Sequence, residues 1–363
     1  MNPNKKVTVL TTTYNGMPYL EEAIRSTLNQ SYDEFNYLIV DDASPDKNVV
    51  DCVKSFDDER IQLVVNEQNL GVSRTINKAL SMIDSEYVVR MDHDDINLPD
   101  RIKDQINFLE CNPEISIVCS WEHTIDSNGI RGRDWTRRLD NYGEFLGPIF
   151  LGICPIWHPS ISFRTKDMVD AGGFRREYVR AEDFEVTARL AVKRYGAAVI
   201  PKFHLLQRQH FESQSKEFEA EQQAMSKKIQ KEAIQNFLTE EQASDLTSFL
   251  SIGKELEEEI DKDLILKNKK ILDSLLISSR KKQNMNENEF NSFKKIIFKR
   301  VGLGVLFSNY YRLLPNPVFK LLFFILSPLY FKPVYQFLSW VYNSIQYLVS
   351  RIRIIKSKVS ISG

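Results

Sequence analysis

The chain is poor in the residues that build metal cages and covalent staples. Among 363 residues there are four cysteines and five histidines. Cys52, Cys111, Cys119 and Cys154 have irregular spacings and no Cys-x-x-Cys pair. That argues against a zinc site or a disulfide framework and fits reduced thiols in the cytosol. His93, His123, His158, His204 and His210 form no His-Glu-x-x-His pattern. No run of eighteen strongly apolar residues occurs, so a conventional membrane span is not supported. The opening Met1 to Lys6 is polar and Val7-Thr-Val-Leu is too short for a signal-peptide core, which predicts a chain that is not exported. Acidic residues are missing from one region only. From Asn291 to Gly363 there are eleven Lys/Arg and no Asp or Glu. Residues 1–290 therefore carry 37 basic and 49 acidic side chains, a net charge of −12, while the whole chain is at −1. That balance argues against nucleic acid as a partner and separates an acidic body from a basic, aromatic tail.

What is present reads as alternating strands and helices. Val7 to Thr13 is a strand rich in β-branched residues, and Leu20 to Leu28 has helical apolar spacing. Tyr37 to Val40, Ile61 to Val65, Tyr87 to Met91 and Ile115 to Ser120 are further strands. Val49 to Phe56, Ser73 to Ile83 and Arg101 to Leu109 are helical between them. This order predicts an α/β fold with a mostly parallel central sheet covered on both faces. Later, His158 to Arg164 predicts a strand after a turn, Ala171-Gly-Gly-Phe a loop, Ala181 to about Tyr195 a helix and Ala197 to Ile200 a short strand. Glu217 to Lys282 is charged and helical in period, and Lys281 to Asn291 is the best linker.

Carboxylates collect at the predicted strand ends. Asp42 and Asp94 both follow the C-terminal end of a strand, the edge where open α/β sheets bind ligands. In Asp92-His93-Asp94, two carboxylates one residue apart suit a divalent cation of the Mn²⁺ or Mg²⁺ type that shares its ligands with phosphates. Asp41-Asp42 reads equally as a helix cap. Glu182-Asp183 opens a helix, as favourable charges in its first turn or as a base for a hydroxyl nucleophile.

The ordered set Thr12-Thr-Tyr14-Asn15, Val40-Asp41-Asp42-Ala-Ser44, Asn69-Leu-Gly71-Val-Ser73, Arg90-Met-Asp92-His-Asp94-Asp95, His158-Pro-Ser160, Gly172-Gly173-Phe174, Ala181-Glu182-Asp183 and Arg208-Gln-His210 resembles the family-2 glycosyltransferases of the GT-A fold over about residues 5–215. The resemblance implies an inverting transfer of a sugar from a nucleotide-sugar donor to an acceptor hydroxyl. Thr12 and Tyr14 would flank the nucleobase and Asp42 would accept from uracil N3–H. Asp92 would touch the ribose or the ion's water shell, and Asp94 would bind Mn²⁺ or Mg²⁺ at the diphosphate. Asp183 would be the catalytic base, with Glu182 helping to position the acceptor, and His210 would approach the metal. The arginine that members often carry three residues after the Gly-Val-Ser serine is Ile76 here, with Arg74 as a possible substitute. The Gln-x-x-Arg-Trp signature of processive synthases is absent, which predicts one sugar per event. Two rivals remain at this point: a nucleotidyltransferase, which would show a Gly-rich phosphate loop near the start, and a non-catalytic membrane-associated scaffold of the same fold.

Three regions follow from these readings: a GT-A catalytic domain over 1–215, a charged helical segment over 216–290 and a basic amphipathic tail over 291–363. Lys332 splits the tail's weakly charged stretches, which also contain Pro328, Gln336, Asn343 and Gln346. Interfacial helices on an anionic membrane surface fit that pattern better than a span. The chain is thus expected to be cytoplasmic and peripheral on the inner face of the cell membrane, acting on a polyprenyl-diphosphate-linked glycan.

Overall fold

The protein is described here by a computed structural model that covers residues 1–209, 219–251 and 262–307. In chain order its elements are β1 (Val7–Thr13), α1 (Leu20–Leu28), β2 (Phe35–Asp41), α2 (Asn48–Lys54), β3 (Ile61–Val65), α3 (Val72–Leu80), β4 (Tyr87–Arg90), β5 (Ile96–Asn97), α4 (Arg101–Cys111), β6 (Ile115–Ile125), β7 (Arg131–Trp135), α5 (Tyr142–Ile149), β8 (Ser162–Arg164), α6 (Thr165–Ala171), α7 (Glu182–Val192) and β9 (Gly196–Arg208). Four helices follow: α8 (Glu219–Gln235), α9 (Glu240–Ser251), α10 (Lys262–Lys282) and α11 (Glu287–Phe307). One compact unit comprises Met1–Leu250 with Ile271–Ile297. The other, Ser251–Lys270 with Phe298–Gly363, is helical where described.

The strands form one sheet in the order β3-β2-β1-β4-β8-β6-β9-β5, with β7 paired to β6. β3, β2, β1 and β4 run parallel, as do β6 and β9; β8 is antiparallel to both of its neighbours. Helices cover both faces of the parallel half, so β1 and β2 have almost no exposed side chain. That is why β2 reads as a continuous apolar run over Tyr37 to Val40 rather than as alternation. Thr11, buried in this layer, is satisfied locally, its Oγ1 lying 3.1 Å from the Tyr37 hydroxyl. Val9, Ile24, Tyr37, Ile39, Val89, Ile102 and Val118 share one core. Each such side chain contributes about 1.5–3 kcal/mol by burial. Helix α1 shows how the faces sort: Leu20, Ala23, Ile24 and Thr27 are buried, and Glu21 pairs outward with Arg25 at 2.7 Å.

The fold class is the one the sequence predicts, with differences in detail. β5, β7, α5 and α6 arise where the sequence predicts no element. β9 has thirteen residues instead of four, because it follows β6 through register shifts near Ser120 and Trp121. Of the expected linker 281–291 only residues 283–286 lie between α10 and α11, the rest belonging to the two helices; all of it falls within the first unit, and just beyond it Phe293 and Ile297 of α11 are fully buried. The expected linker's polar sequence faces solvent on one side only. Among the described residues no helix is long and apolar enough to cross a membrane. The tail from 308 to 363 lies outside the described residues, as do the membrane contacts expected of it.

Candidate active site

A cleft of about 1070 Å³ opens at the C-terminal edge of β1, β2 and β4. Its position follows from topology: parallel strands direct their following loops to the same edge. Thr12, Tyr14, Asp42, Asp92, His93 and Asp94 all line it. Two polar knots hold these loops. The Asp41 carboxylate accepts from Ser44 Oγ at 2.5 Å, and Ser44 Oγ accepts from the Asn15 backbone N–H at 2.8 Å. The loops after β1 and β2 are thereby locked together. The Asp42 Oδ1 accepts from Asn66 Nδ2 at 2.7 Å and from the Leu70 N–H at 2.9 Å, while Oδ2 accepts from the Gly71 N–H at 2.9 Å. Asp42 thus fastens the turn that leads into α3. A carboxylate oxygen has two acceptor directions, and Oδ2 uses one of them.

The acidic loop after β4 is organised by two arginines to which sequence reasoning gave no role. Arg90 is 7% exposed and donates from Nη2 to Asp92 Oδ1 at 2.6 Å. Its Nη1 lies 2.7 Å from His158 Nδ1. Burial and the Arg90 charge hold His158 well below the usual imidazole range, so the ring is neutral and Nδ1 is the acceptor. Its Nε2 is enclosed without a partner. Arg208 is 5% exposed; its backbone N–H donates to Asp95 Oδ1 at 2.8 Å and its Nε to the Asp94 carbonyl at 3.0 Å. Asp95 is buried, and burial followed by the charges of Asp94 and Asp92 pushes its carboxyl well up. Beneath them Arg101, fully buried, donates to the Arg90 carbonyl at 2.6 Å and to the Pro159 carbonyl at 3.2 Å. Arg90 and Arg208 belong to motifs visible in the sequence, whereas Arg101 has no such signal because its burial depends on the turn at 159–161.

Glu182 and Asp183 open α7. Asp183 Oδ1 accepts from the Phe184 N–H at 2.7 Å. Burial raises the Asp183 carboxyl above its ordinary range; the Phe184 N–H and the Arg90 charge oppose that, and Asp92 adds to it. Glu182 is raised by burial and by Asp183, and its Oε2 is enclosed without a partner. Neither residue lines the cleft; both stand beside it, within the field of Arg90. Their helix is fixed from behind. Arg189 pairs with Glu185 at 2.7 Å and donates to the Gly173 carbonyl at 2.6 Å. Asn77 of α3 accepts from the Phe174 N–H at 2.9 Å and donates to its carbonyl at 2.7 Å. The Gly-Gly-Phe element therefore ties α7 to α3.

Two expected residues are not part of this gathering. Arg74 is exposed on α3 and does not line the cleft, while Ile76 is fully buried in the core. His210 lies outside the described residues. Among the described residues no group of three or more His, Cys, Asp or Glu side chains is arranged to hold a metal ion. Asp92 and Asp94 supply two carboxylates on the cleft wall. That donor set fits an ion completed by water and a substrate's phosphates, not a preformed protein cage.

Comparison with known proteins bears on this geometry. The sequence profile described as Glycosyl transferase family 2 matches residues 8–170. An uncharacterized glycosyltransferase of Methanocaldococcus jannaschii is 30% identical over 202 residues, covering 55% of this chain and 69% of that protein. Another, from Haemophilus influenzae, is 28% identical over 243 residues, covering 64% of this chain and 74% of its own. Among solved structures, TarS 1–349 of S. aureus superposes with a TM-score of 0.53 at 19% identity, over 85% of this chain and 93% of that one. The shared architecture is the GT-A fold.

Proposed function

The chain belongs to glycosyl transferase family 2 and takes a nucleotide-sugar donor, and from that premise we propose that it moves one sugar per event, with inversion, from a UDP-sugar to a hydroxyl of a lipid-linked or surface-glycan acceptor, with Mn²⁺ or Mg²⁺ at the diphosphate. The observation that carries this reading is the convergence of Thr12, Tyr14, Asp42, Asp92 and Asp94 on one cleft, with Asp183 beside it.

Thr12 and Tyr14 flank the base, and the open acceptor direction on Asp42 Oδ2 suits a uracil N3–H. TarS has been crystallised with UDP-GlcNAc, which favours a uracil donor on this fold. Asp94 would hold the ion, with Asp92 at the ribose or at the ion's water shell, and the ion would supply positive charge for the diphosphate leaving group. Asp183 takes the proton from the acceptor hydroxyl as its oxygen bonds to the anomeric carbon and the bond to the diphosphate oxygen breaks. A single in-line displacement inverts the centre and needs one base, unlike the two carboxylates of most glycoside hydrolases. Burial raises the Asp183 carboxyl and so makes it a stronger base than an ordinary aspartate, while the Arg90 charge opposes that rise. Glu182 orients the acceptor. A polyprenyl-diphosphate-linked glycan, reached by a basic tail resting on the inner membrane face, is the acceptor proposed.

Nucleotide release from a panel of nucleotide sugars tests this, with Mn²⁺, Mg²⁺ or EDTA and a crude polyprenyl-glycan extract. Release from one donor that requires both metal and extract is the expected result. Release unaffected by EDTA removes the ion from the reading. Asp183→Asn is expected to lower the rate by about 10²–10⁴-fold while UDP affinity stays within about threefold. Equal losses in both would take Asp183 out of the base role.

A further inference from the structure

A second charged feature lies outside the donor cleft. Residues 131–138 contain four arginines and one aspartate, on a body that is otherwise acidic. Asp134 is already engaged, 2.8 Å from His123 Nδ1 and 3.1 Å from Arg131 Nη2. Among the described residues, Arg133, Arg137 and Arg138 have no carboxylate partner. Arg133 and Arg138 are exposed. These cations are interleaved with indoles. The Arg133 guanidinium lies 5.5 Å from the ring centre of Trp135, Trp135 lies 5.0 Å from Trp157, and Arg137 lies 5.0 Å from the Trp157 ring. A guanidinium that lies over an indole has five N–H donors, so it can still offer some of them to an oxyanion.

The strip is adjacent to the base. Arg137 Nη1 donates to the Cys154 carbonyl at 2.6 Å, and the Asp183 charge is felt at the Cys154 thiol. Trp157 immediately precedes His158, which meets Arg90. Trp135 pairs across the sheet with Glu122, and β7 has β6 as its only strand neighbour among the described residues. None of these arginines or tryptophans lines the donor cleft. The Arg137 end of the strip is therefore near Asp183 and outside the cleft that holds the nucleotide candidates, a side left open to an acceptor.

We propose that Arg133, Arg137 and Arg138, with Trp135 and Trp157, form an acceptor subsite for a glycan that carries oxyanions, either phosphodiesters or uronate carboxylates. This rests on the glycosyltransferase reading and adds the acceptor's charge to it. Indoles between the cations suit sugar rings between the anions. Arginines without a carboxylate partner on an acidic body exclude neutral glycans less than they select charged ones, because a polyanion is repelled elsewhere and drawn to this strip.

The test is fluorescence anisotropy with three labelled probes of ten units: polyphosphate, oligogalacturonate and neutral maltodecaose. Saturating UDP is present throughout to fill the donor cleft. The full chain is expected to bind at least one anionic probe saturably, with affinity falling as salt rises, and to ignore maltodecaose. Which anionic probe binds more tightly identifies the oxyanion. Arg133→Ala/Arg138→Ala is expected to weaken that binding about tenfold or more, with melting temperature and UDP affinity unchanged. Lys54→Ala/Lys103→Ala, which removes two exposed charges elsewhere, is expected to leave it intact. No binding of either anionic probe by the wild type, or equal loss in both double variants, overturns the proposal. So does loss of binding to phosphatidylglycerol vesicles in Arg133→Ala/Arg138→Ala with probe affinity unchanged, which would assign the strip to a membrane. Nucleotide release by the same preparation separates the two readings. Release without anionic-probe binding refutes the subsite alone, and absence of both UDP binding and release refutes the glycosyltransferase reading beneath it.

Discussion

Arg90 is the residue on which the electrostatics of the site turn. Its guanidinium bridges Asp92 and His158, and its charge lowers the carboxyls of both Asp183 and Glu182. A base must be deprotonated to act, so activity is lost as pH falls through the Asp183 pKa. Arg90→Gln removes the opposing charge and lets that pKa rise. The acid limb of kcat/KM is therefore expected to move to higher pH, with a rate loss larger at pH 6 than at pH 9. A uniform loss at all pH values would reduce Arg90 to a packing role. Glu122 gives a different pH signature. It is 1% exposed, burial pushes its carboxyl up to about 7, and its Oε1 has no partner. Its folded pKa exceeds the unfolded value, so between about pH 4.5 and 7 the folded state holds more proton than the unfolded one. Stability therefore falls as pH rises through that window, by up to about 3 kcal/mol. Glu122→Gln is expected to abolish this slope in urea titrations at pH 5 and pH 8, and to gain stability at pH 8. An unchanged slope would show that Glu122 is not the group responsible.

Between α3 and α7 the Gly-Gly-Phe element acts as a clasp. Gly173 has φ +61°, and a Cβ there would lie 2.4 Å from Asn77 Oδ1. Gly173→Ala combines left-handed strain with the loss of the Asn77 bonds to Phe174, for a cost of about 1–3 kcal/mol. A lowered urea midpoint together with a raised acceptor KM is expected, since α7 carries Asp183. An unchanged midpoint would show that the clasp carries no strain. The clasp also marks the limit of what the sequence displays. Val7–Thr13, Leu20–Leu28 and Ile61–Val65 are legible to the residue because burial of one or both faces leaves a periodic imprint. β7 is not, since Arg131-Gly-Arg-Asp-Trp is nearly all exposed and pairs on one edge only. α5 is obscured by Gly143, Gly147 and Pro148, which read as loop. Gly143 is instead a close approach: a Cβ there would sit 1.9 Å from the Glu289 carbonyl. In the site, Asp42, Asp92 and Asp94 are legible because they end strands. Arg101 and Glu122 are not, because their neighbours come from distant turns. The Asp42 bonds to Leu70 and Gly71 are hidden for the same reason.

At the scale of the molecule, the question is where the body ends. Charge alone divides the chain near residue 290, yet the first compact unit takes in Ile271–Ile297. Packing explains why charge misleads here. The face of α11 that carries Phe293 and Ile297 is fully buried, with the Phe293 ring 5.6 Å from Phe150. Its neighbour Glu289 pairs with Arg194 at 2.8 Å. The acidic body and the first turns of the basic region thus share one core, and net charge, which counts side chains wherever they lie, does not register where apolar packing ends. Phe293→Ala opens a cavity against Phe150 and is expected to cost about 3–5 kcal/mol. Thermal unfolding should register it as a single transition shifted downward, because the cavity lies in the same cooperative unit as the donor cleft. UDP added at a hundredfold excess over its Kd should then raise the variant's midpoint, since binding to the folded state alone stabilises it by about 2.7 kcal/mol. A Phe293→Ala midpoint equal to that of the wild type would mean that α11 is an appendage, and that the division at residue 290 is the physical one.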